Sequence, residues 1–262
     1  MAIKKPVGVI TRGTTNPNRL RRVDRFIAGL PILKSTDRPV VVDLGFGASP
    51  ITAIELLDRL SQVNSQTEVV GIEIDRERVE RGLAVATDKL HFTHGGFEVP
   101  LPAKFDQGAT VIRAFNVLRQ YDESEVDAAW TQMQSRLAPG GLLIEGTCDE
   151  IGRLSCWVTL DAMGPKTLTL SYRLAGLELP SKIAERLPKK LIHRNIEGQN
   201  IHRFLAALDR AWLSNAGLGA FSPAQRWVAT CQMLQDQGWP LVGLKKRWRL
   251  GELTVDWQAV KP

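Results

Sequence analysis

The stretch VVVDLGFGASP, residues 40–50, decides how the rest of the chain is read. A β-branched apolar run stops at Asp43, Gly45 and Gly47 follow two residues apart, and Pro50 opens a new pattern. A short β-branched run without alternation is the mark of a strand buried on both faces. PITAIELLDRL then puts Ile51, Ile54, Leu57 and Leu60 at helical spacing, with Pro50 where a first-turn proline is tolerated. Glycine between strand and helix lets the backbone pass close to a ligand. Asp43 is expected to hold that loop by accepting its amide hydrogens.

The same rhythm continues outward. TEVVGIEID reads as a second buried strand, RERVERGLAVATDKL as an amphipathic helix, LHFTHGGF as a third strand and ATVIRAF as a fourth. ESEVDAAWTQMQSRL reads as a helix, APGG as its stop and LLIEGT as a fifth strand. Strands alternating with helices at this spacing predict a parallel sheet covered on both faces, and right-handed crossovers make it a doubly wound α/β layer. After Thr147 the rhythm breaks. LSCWVTLDAMGPKTLTLSYRL reads as two strands around Gly164-Pro165, and GQNIHRFLAALDRAWL as a helix. SPAQRWVATCQMLQDQGW has Ser222 as N-cap, Pro223 at the first helical position and Gly238 as stop. PLVGLKKRWRL with GELTVDW reads as a closing hairpin, whose alternation sets Lys245, Arg247 and Arg249 on one face.

Charge is distributed unevenly along the 262 residues, whose formal net charge is +6. Residues 1–38 carry net +7 and residues 39–147 net −7, while 148–221 and 222–262 carry +3 each. A basic arm ahead of an acidic core suggests an anionic partner, or an arm docked on its own core. No apolar run approaches the ~18 residues of a membrane span, and the amino-terminal stretch has no apolar core of a secretory signal. A cytoplasmic protein without a metal site is the expectation. Cys148, Cys156 and Cys231 form no CxxC pair, and His91, His94, His193 and His202 lie at no metal spacing.

Ligands of such folds bind at the carboxyl ends of the parallel strands. A dinucleotide fingerprint wants G-x-G-x-x-G, but the third glycine position here is Pro50, and the chain has no GKS or GKT phosphate cradle. Glu73 ends the second strand, where a carboxylate accepts both hydroxyls of a ribose. The pattern favours a nucleoside without phosphates.

At this point the sequence resembles the class I S-adenosylmethionine-dependent methyltransferases. VVVDLGFGASP followed by VVGIEID is similar to their first motif and acidic second-strand motif. FDQGATVIRAFNVLRQYDESEVDAAWTQMQSRLAPGGLLIEG resembles their fourth strand, helix and turn into strand five. WVATCQMLQDQGWPLVGLKKRW is similar to their last helix and sixth strand. The resemblance implies a mostly parallel seven-stranded Rossmann-like sheet, with 39–147 and 222–262 as core, 1–38 as a basic arm and 148–221 as an inserted hairpin-and-helix lid. It implies S-adenosyl-L-methionine as cofactor, with Asp43, Gly45, Phe46, Gly47, Glu73, Ile74, Phe97, Asn116 and Val117 around it. Phe97 departs from the pattern, since many members have an aspartate there that meets the adenine amino group, and Ser49 replaces a frequent third glycine.

The family has no universal catalytic residue, because methyl transfer needs a base only when the acceptor must lose a proton. The acceptor is expected to be small or anionic, met by Arg12, Arg19 and Arg22 of the arm, since guanidinium binds carboxylate and phosphate bidentately. An RNA methyltransferase using the arm and KKRWRL is the rival within the enzyme class. A non-catalytic binding module that kept the fold is the rival outside it, and an NAD-dependent oxidoreductase is more distant.

Overall fold

A computed structural model describes residues 6–11, 15–243 and 245–262. Along the chain, α1 (Arg21–Ala28) and α2 (Pro31–Ser35) precede the first strand. Then come β1 (Val40–Leu44), α3 (Ile51–Ser61), β2 (Glu68–Glu73), α4 (Arg76–Leu83), β3 (Leu90–His94), β4 (Ala109–Phe115) and α5 (Val126–Gln134). The carboxyl-terminal part holds β5 (Leu137–Cys148), β6 (Leu154–Asp161), β7 (Gly164–Tyr172), α6 (Lys189–Ile192), α7 (Asn200–Ser214), α8 (Pro223–Asp236), β8 (Leu241–Val242) and β9 (Glu252–Asp256).

Among the described residues the strands form a nine-stranded sheet in the order β3-β2-β1-β4-β5-β6-β7-β9-β8. The sheet thus has two strands more than the expected seven. β1 pairs in parallel with β2 and β4, and β2 with β3, so their carboxyl ends lie along one edge. The crossover from β3 back to β4, on the far side of β1, makes the strand order reverse there. That reversal is the switch point at which doubly wound sheets open a crevice. β9 runs antiparallel to both β7 and β8.

The chain forms two compact units. The first runs to Glu145 with Glu150–Gly152 and Leu160–Gly164; the second comprises Gly146–Asp149, Arg153–Thr159 and Pro165–Pro262. In the first, every residue of β1, β2 and β4 is buried, as the unbroken apolar runs require. The helix after β1 turns a different side inward from the one expected. Thr52, Ala53, Leu56 and Leu60 are buried, whereas only Leu60 of the expected quartet is. Thr52 drives this rotation: its hydroxyl donates to Asp43 at 2.7 Å and its carbonyl accepts from Arg113 at 3.1 Å. The strand expected to begin after the glycine pair Gly140-Gly141 begins at Leu137 and carries that pair within it.

In the second unit, Trp227 packs between Tyr172 and Trp212, at ring-centroid distances of 4.8 and 6.0 Å, and Arg226 lies 3.7 Å over the Trp212 ring. Ser222 caps α8 through its hydroxyl, which accepts the Gln225 amide at 3.0 Å, and Pro223 opens that helix. The closing hairpin differs from the expectation. Residues Lys245–Leu250 form a 3-10 helix, not a strand. That turn buries Trp248, directs Arg247 onto Glu252 at 2.6 Å and Lys245 onto Gln232 at 2.9 Å. The shared basic face is therefore absent, because helical backbone breaks the two-residue alternation.

Candidate functional site

The loop after β1 is held by its backbone first. Gly45 and Gly47 sit at φ 72° and 84°, a region where a Cβ is strained. A methyl group at Gly45 would also lie 2.8 Å from Val117 Cγ2. The Gly45 amide donates to Ile72 at 2.7 Å, and the Gly47 amide donates to Glu73 Oε2 at 2.9 Å. Glu73 is almost fully buried at the end of β2, and its Oε1 accepts the Ile74 amide at 2.9 Å and the Asp75 amide at 3.3 Å. Arg78 Nη1 approaches Oε2 to 3.6 Å. Glu73 thus braces the glycine loop, the task the sequence reading gave to Asp43. A carboxylate has about four acceptor positions, so a diol at Glu73 exchanges with amides already there.

Asp43 has another role. Its oxygens accept from the Thr52 hydroxyl and from Arg113, whose Nε lies at 3.1 Å and Nη2 at 2.7 Å. The opposite Nη1 of Arg113 meets Asp24 of α1, which also accepts from Arg59 Nη1 at 2.7 Å. The centre of this ion cluster is buried, with Asp24 and Arg113 0% exposed and Asp43 2%, while Arg59 reaches the surface. Burial pushes the Asp24 carboxyl up to about 6, against the pull of Arg113 and Arg59. For Arg113 the two aspartates outweigh burial and hold the guanidinium more firmly charged. The cluster was not foreseen, although an arginine inside the apolar run ATVIRAF is its visible sign.

Two small cavities lie over the carboxyl ends of the parallel strands. One, of about 20 Å³, is lined by Gly45, Glu73, Ile74, Phe97 and Val117, by Tyr121, and by residues 7–9 and Thr11 of the arm. The other, of about 50 Å³, is lined by Asp43, Gly45, Phe46, Gly47 and Asn116, with Thr52, Phe115, Thr11, Thr15, Arg19 and Leu20. Each of the nine residues proposed for the cofactor borders one cavity or the other. The Phe46 ring packs edge-on against Phe92, 5.3 Å between centroids. The Phe97 ring lies 5.2 Å from that of Tyr121. Asn116 sits at φ 59°, a left-handed conformation that non-glycine residues adopt where the surroundings enforce it.

Of the arm arginines, Arg19 borders the second cavity, while Arg22 Nε donates to the Gly152 carbonyl at 3.0 Å. Arg12 lies outside the described residues. His94 Nε2 contacts the Ile74 carbonyl at 2.9 Å. His91 Nε2 contacts Glu68 at 2.8 Å, where Lys104 also sits at 2.6 Å. Burial works against the charged Glu68, but Lys104 and His91 prevail and hold it below the ordinary range. Both histidines thus have structural partners. Among the described residues no helix is long and apolar enough to cross a membrane.

The structure thus combines a doubly wound α/β sheet, a glycine loop after its first strand, an acid at the end of its second and a crevice at its switch point. Solved structures similar to part of this chain include the CcbJ methyltransferase of Streptomyces caelestis, 19% identical over 59% of this chain and 65% of that one, with a TM-score of 0.38. A SAM-dependent methyltransferase of Leishmania major is 16% identical over 51% and 54%, with a TM-score of 0.38. Human N-acetylserotonin methyltransferase, in complex with SAM, is 18% identical over 51% and 36%, with a TM-score of 0.36. The chain spans less than two thirds of the length of each. No protein-family model and no curated protein matches the sequence.

Tested against these residues, the nucleoside cofactor finds the right donors and acceptors but not the room. The loop backbone, Glu73 and the Ile74–Phe97 pair suit a phosphate-free nucleoside. The first cavity holds only one or two waters while the arm is docked over it.

Proposed function

We propose that the chain is an S-adenosylmethionine-dependent methyltransferase acting on a small or anionic acceptor. The observation carrying this reading is the convergence of the Gly45–Gly47 loop, the buried Glu73 carboxylate and Phe97 at the ends of β1, β2 and β3. When bound, the cofactor supplies an electrophilic methyl group on a sulfonium. The chain's own part is orientation and electrostatics. Glu73 accepts the ribose hydroxyls, Ile74 and Phe97 enclose the base, and the loop around Gly45 and Gly47 takes the methionyl end. Asp43 keeps that end rigid through Thr52 and Arg113. Asn116 stands beside Phe115 and Arg19 where an acceptor enters, and Arg19 offers it a cation. The second basic face that favoured RNA has no counterpart in residues Lys245–Leu250.

Calorimetry with S-adenosylhomocysteine tests the assignment. The wild-type chain is expected to bind, and Glu73→Ala to bind about 10–100-fold more weakly, the loss of charged hydrogen bonds worth about 1.5–3 kcal/mol. Equal affinity in the variant would remove Glu73 from the site. Labelling of fractionated extract with a tritiated methyl donor then identifies the acceptor, and binding without any transfer would favour the non-catalytic module.

A further inference from the structure

The arm does more than approach the crevice: it fills the part where a base belongs. Residues 7–11 run over the ends of β2 and β3, anchored almost wholly by backbone. The Val7 carbonyl accepts the Phe97 amide at 2.9 Å, and the Val7 amide donates to Glu98 Oε2 at 2.9 Å. The Val9 amide donates to the Tyr121 hydroxyl at 2.6 Å, and Gln120 Nε2 donates to the Val9 carbonyl at 3.1 Å. Arg78 Nη2 donates to the Thr11 carbonyl at 2.9 Å. Gly8 sits in the apolar clamp itself. A methyl group on it would lie 3.0 Å from Tyr121 Oη, 3.6 Å from Ile74 Cδ1 and 3.8 Å from Phe97 Cε2. Close approach on the other side needs Gly96, where a Cβ would fall 2.0 Å from the Val7 carbonyl oxygen.

We propose that residues 7–11 form a strap that holds the place of the nucleoside base, pairing with the Phe97 amide as a base acceptor would, and that the base must displace it. This rests on the nucleoside reading of the site. The physical balance favours exchange. Val7, Val9 and Ile10 are 44%, 54% and 54% exposed, so docking buries little apolar surface. Hydrogen bonds exposed to water are individually weak, because water competes for both partners. A flat adenine between Ile74, Phe97 and Tyr121 buries more apolar surface than Gly8 does and reuses the same amide. A strap that occupies the site lowers apparent affinity by the fraction of molecules left open.

The test compares S-adenosylhomocysteine affinity of the full chain with that of Gly8→Val, whose side chain cannot enter the clamp, and of Gln120→Ala, which loosens the strap without touching the clamp. Both variants are expected to bind several-fold more tightly. Amide hydrogen exchange supplies the second reading. On ligand binding the Val7 and Val9 amides should lose protection while the Phe97 amide keeps it. Wild-type binding with unchanged or weaker affinity in both variants, or with the strap amides still protected, would overturn the strap and leave the nucleoside site standing. Absence of binding in all three proteins would remove both.

Discussion

Arg113 lies in the middle of β4 with no exposure to water, and three groups share its guanidinium: Asp24, Asp43 and the Thr52 carbonyl. Taking a charge out of water is costly, and removing one member of such a cluster leaves the others buried and unpaired. Arg113→Met is therefore expected to destabilise the fold by about 3–5 kcal/mol, measured by urea denaturation. A loss below about 1 kcal/mol would mean that the cluster contributes nothing net. In the sequence Asp43 looked like the residue that holds the glycine loop. Its carboxylate is committed to Thr52 and Arg113, and the loop amide falls to Glu73. Asp43 lies one residue before the end of β1 and Glu73 ends β2, and only their partners separate the two roles.

At the scale of elements, local chemistry was legible wherever the signal was local. The bounds of β4 coincide with ATVIRAF, and α8 starts as its serine and proline require. Ser222→Ala should cost about 1 kcal/mol by thermal denaturation, while Ser222→Gly should cost only a few tenths. Equal effects of the two would point to a contact of the hydroxyl other than the cap. Where an element departs from its periodicity, side-chain partners outside the element override the pattern. KKRWRL alternates as a strand would, yet burial of Trp248 and the ion pair of Arg247 with Glu252 close it into a 3-10 turn. Likewise α3 turns Thr52 inward, against the aliphatic spacing, because Asp43 and Arg113 need its hydroxyl and carbonyl.

At the scale of the whole molecule, stability should depend on pH through buried carboxyls. Burial raises Glu145 from 4.5 to about 8, against the weaker opposing influence of the Trp130 indole. A raised carboxyl favours the protonated fold, so its contribution is complete below about 4.5 and is lost as pH climbs to about 8. Asp24 acts in the same direction between 3.8 and about 6. Unfolding free energy should fall over pH 5–8 by up to about 1.4 kcal/mol per pH unit for each titrating group. Glu145→Gln should flatten the slope above pH 6, where Asp24 no longer contributes. A slope unchanged in that variant would show that Glu145 does not titrate in this range.

The sequence by itself determined the strand–helix alternation, the parallel run of the first strands, the glycine loop and the acid that ends the second strand. These follow from apolar period, glycine and proline, which act over a few residues. Tertiary structure decided which carboxylate braces the loop, that an arginine lies buried between two aspartates, and that residues 7–11 cover the crevice. Each of these is a balance between desolvation and partners brought together from residues dozens of positions apart, and no local pattern records that balance.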